Sequence, residues 1–203
     1  IKHERTRKRS ISKEKMKLIE NLELPEGTPI WHNRNYFILS FYLIGISYID
    51  MITLKRSDLK NGRVSFVRRK TGKHYDIKLT PVAKTIINYH QEKLNTTDEY
   101  AFVFPVIPDQ FRGNMEQELK YVSMGTKLCN KYIRRIGKMC GIEEHLTTYV
   151  SRHSWATIAK KMGYSIDMIG EALGHQFGNR ITAVYLDTFD QEVIDEMNEK
   201  ITE

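Results

Sequence analysis

Cysteine is scarce in this chain and long apolar runs are missing, and each lack removes a class of protein. The two cysteines, Cys129 and Cys140, lie eleven positions apart in a sequence of 203 residues. That spacing builds neither a disulfide framework nor a zinc site, so reduced structural thiols in a cytoplasmic protein are expected. No stretch approaches the roughly 18 apolar residues of a membrane helix, and no secretory leader pattern is visible. His145, His153 and His175 match no common zinc spacing, and no metal or other cofactor is expected. No internal repeat is visible either.

What is present supports one sizeable domain. A hydrophobic content of 40% allows a real core, and 28% charged residues suit a solvated surface. The net charge of +7 favours a polyanionic partner. Residues 1–10 are basic and poor in large apolar groups. They read as a linker from an upstream DNA-binding domain, laid on a phosphate backbone, or equally as a solvated tail. The chain starts at Ile1 rather than at methionine, which predicts a fragment or a processed chain.

Periodicity predicts a mainly α fold with one small antiparallel β-sheet. Ser12 caps a helix carrying Met16, Ile19 and Leu22, ended by Pro25, Gly27 and Pro29. Residues 32–45 are apolar nearly all round and predict a central buried helix broken at Gly45. A short helix follows from Tyr48. Arg63–Val67 and Tyr75–Leu79 alternate as two strands around the turn Lys70-Thr71-Gly72-Lys73. Pro81 opens a further helix, residues 95–118 read as loop around Phe102–Phe104, and a long helix covers 117–139. Helices over 149–162 and 165–173 come next, the second closed by Gly174. Residues 190–200 form an acidic amphipathic tail.

The chemistry concentrates in the last third. Arg152 stands three residues after Tyr149, on the same helical face. Its planar fork suits the two non-bridging oxygens of a phosphodiester and offsets charge built up in a pentacovalent transition state. His175 follows Leu173-Gly174 at a helix end and could handle a proton near neutral pH. Tyr185 is one of eleven tyrosines, but it stands ten residues beyond His175. A phenol with a pKa near ~10 becomes a nucleophile when cations or a base assist it. Lys70, at the hairpin tip, could reach a groove and protonate a departing 5′ oxygen.

Arg152-His153-Ser154-Trp155-Ala156-Thr157, then Leu173-Gly174-His175, then Thr182-Ala183-Val184-Tyr185, resembles the catalytic domain of the tyrosine recombinase (phage integrase) family. Gly45–Leu59 resembles its first box, and Lys70 sits where its hairpin lysine falls. The resemblance implies a site-specific recombinase or integrase of a mobile element or prophage. Tyr185 would form a 3′-phosphotyrosine on double-stranded DNA, with Arg152, His175 and Lys70 assisting. It also implies a tetramer on DNA, the isolated domain being a monomer, with residues 11–186 as catalytic domain. The tail 187–203, with Phe189, Val193, Ile194 and Met197 as its apolar stripe, would dock on a neighbouring protomer or on its own domain.

Two positions depart from the family pattern. The first box normally carries an arginine where this chain has Ser47, in Gly45-Ile46-Ser47-Tyr48-Ile49-Asp50. The second normally carries a histidine where this chain has Tyr149, a poor base. A lost charged contact to the transition-state phosphate costs about 3–4 kcal/mol. Arg68 is the expected replacement cation, since strand alternation sends it off the same face as Lys70 and turns Arg69 away. Arg180 is the second choice. Asp50 is expected to position cations rather than touch DNA. The rival readings are a decayed relative that only binds DNA, and a type IB topoisomerase, which the small size disfavours.

Overall fold

A computed structural model describes residues 9–174 and 188–203 of the chain. Eight helices surround one small sheet in these segments: α1 (Lys13–Glu20), α2 (Pro29–Tyr42), α3 (Tyr48–Ile52), α4 (Pro81–Lys93), α5 (Met115–Met139), α6 (Val150–Lys161), α7 (Ile166–Ala172) and α8 (Gln191–Thr202). The sheet is β1 (Leu59–Lys60), β2 (Arg63–Val67) and β3 (His74–Lys78), antiparallel throughout and ordered β1-β2-β3. No helix among the described residues is long and apolar enough to cross a membrane.

Helix α2 is the hub. Every residue from Asn35 to Tyr42 is buried, because the helix packs against α1, α4, α5 and α6 at once. It starts at Pro29, earlier than periodicity indicates. The Thr28 hydroxyl accepts from the Trp31 amide and Pro29 fills the first turn, where a missing N–H costs nothing. Pro29 therefore opens α2 rather than ending α1.

Past Tyr42 the chain reverses through two left-handed residues, Ile44 (φ 55°) and Gly45 (φ 64°). A β-branched residue rarely adopts that conformation, so surrounding contacts must hold it. Ile44 is fully packed, and the Ser40 hydroxyl ties the turn by donating to the Ile46 carbonyl at 2.7 Å. The Ser40 hydroxyl also lies 2.8 Å from that of Ser151, which joins the end of α2 to the start of α6.

The hairpin registers Phe66 against Tyr75 and Val67 against His74. Strand alternation turns Val64 and Phe66 inward and leaves Val67 exposed. The two-residue strand β1 adds a third member to the predicted two-stranded sheet.

In this structure α8 packs on its own domain. Ile194, Met197 and Ile201 form its buried stripe, while Phe189 and Val193 stay largely exposed. The Asn198 side chain donates to the Tyr42 carbonyl at 2.9 Å and accepts from the Trp155 indole at 2.8 Å. Arg63 forks onto both oxygens of Asp195 at 2.7 and 3.1 Å.

Candidate active site at a buried arginine pair

The end of α2, the start of α6, the end of α7 and the tip of the hairpin converge on two guanidinium groups. Arg152, in the first turn of α6, is only 5% exposed. It donates from Nη1 to the Gly45 carbonyl at 2.9 Å and from Nη2 to the Leu173 carbonyl. Gly45 must be glycine here, since a Cβ would come within 2.6 Å of the Arg152 Cα. Arg68, just past the end of β2, is 8% exposed and donates from Nη1 to the same Leu173 carbonyl at 3.3 Å. One carbonyl oxygen thus bridges two buried arginines.

Among the described residues a single carboxylate accompanies them. Asp50 Oδ2 lies 3.9 Å from Arg68 Nε and accepts from the Ser47 hydroxyl at 2.5 Å. Its Oδ1 accepts from the Arg69 amide at 3.0 Å. Asp50 therefore anchors the hairpin tip from below. Ser47 caps α3 by accepting from the Asp50 amide, so the serine that stands in place of a cation is engaged within its own turn. Arg69 turns away, as alternation predicts, and pairs with Glu118 of α5 at 2.7 Å.

Burial, and then the neighbouring charge of Arg68, push the Arg152 pKa below the usual arginine range. Arginine stays protonated nonetheless. Two like charges packed together and poorly offset form a local excess of positive potential. An anion would relieve it.

Lys70 does not share the burial of Arg68. The alternation expected to send both off one face stops at Val67, and the chain then closes a turn by Gly72 N–H donating to the Arg68 carbonyl at 2.9 Å. Lys70 sits exposed on that turn. Tyr149 lies at the mouth of the site, 48% exposed, with its ring edge-on to His153 at 4.9 Å. His175, Arg180 and Tyr185 lie outside the described residues. Beyond Tyr149 opens a net-basic concavity of 1140 Å³ whose charged lining is Arg9, Lys15, Arg134 and Lys138 with Glu143 and Glu144, Lys15 being paired with Glu144 at 2.6 Å.

Sequence reasoning misses one residue, Tyr75. Its buried hydroxyl makes no well-formed hydrogen bond, although both guanidinium groups come close enough to point N–H groups at its oxygen. Burial raises its pKa, and the charges and N–H groups of Arg68 and Arg152 pull it back part of the way. The signal was available, since Tyr75 pairs with Phe66 across the hairpin. Pairing places it on the face that Phe66 shares with Arg68.

Among described residues, no group of histidine, cysteine, aspartate and glutamate could hold a metal ion. Two curated tyrosine recombinases resemble the chain. That of Pseudothermotoga lettingae is 25% identical over 177 residues, covering 85% of this chain and 56% of that protein. That of Thermosipho africanus is 25% identical over 154 residues, covering 76% and 49%. The chain thus spans about half the length of the curated relatives it matches. Among solved structures, XerA recombinase superposes with a TM-score of 0.55 at 19% identity, covering 94% of this chain and 64% of that one. XerH site-specific recombinase, bound to its difH substrate, gives 0.58 at 18% identity, covering 97% and 55%. The integrase of mycobacterium phage Brujita gives 0.59 at 16% identity, covering 100% and 66%. These structures share the fold. The phage integrase family model matches residues 9–192, and with the arginine pair built on that fold, the chain belongs to the phage integrase family of tyrosine recombinases.

Proposed function

We propose that the chain is the catalytic part of a site-specific recombinase of a mobile element, which cleaves and rejoins double-stranded DNA through a 3′-phosphotyrosine on Tyr185. The observation that carries this reading is the Arg68–Arg152 pair, two buried guanidinium groups meeting at one carbonyl. Two planar forks suit the two non-bridging oxygens of a scissile phosphate. Arg68 then supplies the charge that Ser47 lacks, and Asp50 holds it in place.

The Tyr185 oxygen forms a bond to phosphorus as the bond to the 5′ oxygen breaks. The phenol proton passes towards His175, and Lys70 on its exposed turn delivers one to the departing 5′ oxygen. Tyr149 adds a weaker polar contact at the mouth. Reversal by a 5′ hydroxyl restores the phosphodiester, so the bond energy is retained and no ATP is needed. The net charge of +7 and the basic concavity beside Tyr149 support duplex DNA as partner, as does the likeness to a recombinase solved with its substrate. Assembly as a homo-oligomer, a tetramer on DNA, completes the reading. A tail exchanged between protomers would reuse the Arg63 and Trp155 contacts on a neighbour.

A nicked suicide substrate carrying the element's own attachment site tests this. A covalent protein–DNA adduct is expected on a denaturing gel and should vanish in Tyr185→Phe. Failure of the full-length protein to form it would favour the second reading, a DNA-binding relative whose site has decayed. That reading draws on the engaged Ser47 hydroxyl and on Tyr149 in place of histidine.

A further inference from the structure

The buried hydroxyl of Tyr75 has no place in the reaction described so far. Tyr75 stands on β3 with its ring stacked on Phe66, centroids 5.2 Å apart and planes within 15°. The stacking supports one face of the ring. The hydroxyl at its far end points at Gly174, where a Cβ would come within 1.8 Å of the Tyr75 oxygen. Only glycine at position 174 admits this phenol. The oxygen thereby lies against the residue after Leu173, whose carbonyl joins the arginines, and within reach of both Arg68 and Arg152.

A phenol has one proton to donate and lone pairs to accept with. Both guanidinium groups present N–H groups to the lone pairs, so the proton is turned away from the cations. Nothing in the described protein accepts it. A buried O–H without an acceptor is costly, and native structures rarely keep one without a reason. Arg68 and Arg152 each carry five N–H donors, of which the structure commits one and two to carbonyls. Three donor-bearing groups therefore face one small region where, among the described residues, Asp50 is the single carboxylate, 3.9 Å from Arg68 Nε.

We propose that Tyr75 is a third phosphate ligand of the site, its hydroxyl donating to a non-bridging oxygen that Arg68 and Arg152 also hold. This rests on the recombinase reading for the identity of the phosphate, but not for the existence of the anion site. The phosphate would take the proton that the protein leaves unaccepted. It would also take over part of the role that the Leu173 carbonyl plays between the two arginines.

The test uses Tyr75→Phe, which keeps the ring on Phe66 and removes only the hydroxyl. Inorganic phosphate is titrated into the chain and followed by ³¹P NMR line broadening, with thermal melting recorded in parallel. The variant should bind phosphate roughly ten- to a hundred-fold more weakly, the worth of one hydrogen bond to a charged group. Its melting temperature without phosphate should be unchanged or higher, because a buried unpartnered group is gone. Phe66→Leu is the control for packing. It should melt lower while keeping phosphate affinity close to wild type.

Equal phosphate affinity in Tyr75→Phe and wild type would overturn the proposal. So would a wild-type chain that does not bind phosphate, or a Phe66→Leu variant that loses as much affinity as Tyr75→Phe. An adduct that survives Tyr185→Phe would instead defeat the cleavage reading, and the phosphate titration would still decide Tyr75 on its own.

Discussion

The two ends of helix α2 each bury a cluster of titratable side chains, and the clusters settle their charge in opposite ways. Beyond the C-terminal end, Arg152 donates to the Gly45 carbonyl and Arg68 joins it at Leu173, and both keep their charge. At the N-terminal end His32 and Tyr36 meet His90 of α4, with ring centroids 5.2 and 5.6 Å from it. There His90 is 3% exposed with an unpartnered Nε2, and burial, aided by His32, pushes its pKa down to about 4. It is neutral near pH 7.

The helix itself contributes to the difference. Its C-terminal carbonyls favour a nearby cation, and its N-terminal amides disfavour one. Chemistry decides the rest, since a guanidinium cannot shed its proton while an imidazole readily does. A charge that cannot be discarded must be matched, and within the described protein it is matched only in part. That shortfall makes the arginine end the candidate binding site, whereas the neutral cluster belongs to the core.

The comparison breaks most readily at Arg68. Arg68→Ala should slow adduct formation about a hundred- to a thousand-fold, the scale of one lost transition-state donor. Arg68→Lys should recover part of that rate, because charge returns without the fork. Single-turnover cleavage of the nicked substrate measures both. A wild-type rate in Arg68→Ala would show that the pair is structural and that another cation, Arg180 being the next choice, serves the phosphate.

The neutral cluster predicts an effect on stability instead. The folded-state pKa of His90 lies below the ordinary value of 6.5. Between about 4 and 6.5 the unfolded chain therefore binds more protons than the folded one. The stability tied to a neutral His90 is whole above 6.5 and is lost as pH falls towards 4, by about 2–3 kcal/mol. Urea unfolding at pH 7 and pH 4.5 should show that loss in wild type and a smaller one in His90→Phe. Equal losses in the two proteins would show that His90 is not what couples stability to pH.

How much of this was legible beforehand depends on the length scale of the signal. The helices with clear periodicity, the hairpin and the glycine stops could be read because each repeats or punctuates a pattern over many residues. Arg152 was legible from its company in the chain. The strand β1 was not, since two residues carry no alternation. Nor was the start of α2, because Pro29 reads as a breaker until Thr28 is seen to cap it. Arg68 and Lys70 share a face only on a strand that runs through both, and β2 ends at Val67. Tyr75 was hidden among many tyrosines, and only cross-strand pairing distinguishes it. His175 and Tyr185 stand out in the sequence and lie outside the described residues.

The smallest expected effect concerns what holds the arginine end of α2 together. Asn198 of α8 bridges the Tyr42 carbonyl, two residues before the left-handed turn, to the Trp155 indole, one turn along α6 from Arg152. It is 2% exposed, and Trp155 is buried completely. Asn198→Ala leaves a carbonyl and an indole N–H without partners, which should cost about 1–3 kcal/mol. The tail also holds on through Arg63–Asp195 and through Ile194, Met197 and Ile201. It should therefore stay docked while the turn at Ile44 and Gly45 loosens. Hydrogen exchange would show this as faster opening at residues 43–46 with α4 unaffected, so that the charged end of α2 softens and the neutral end does not. Uniform acceleration at both ends would mean that α2 responds as one rigid unit and that the two clusters are coupled through it.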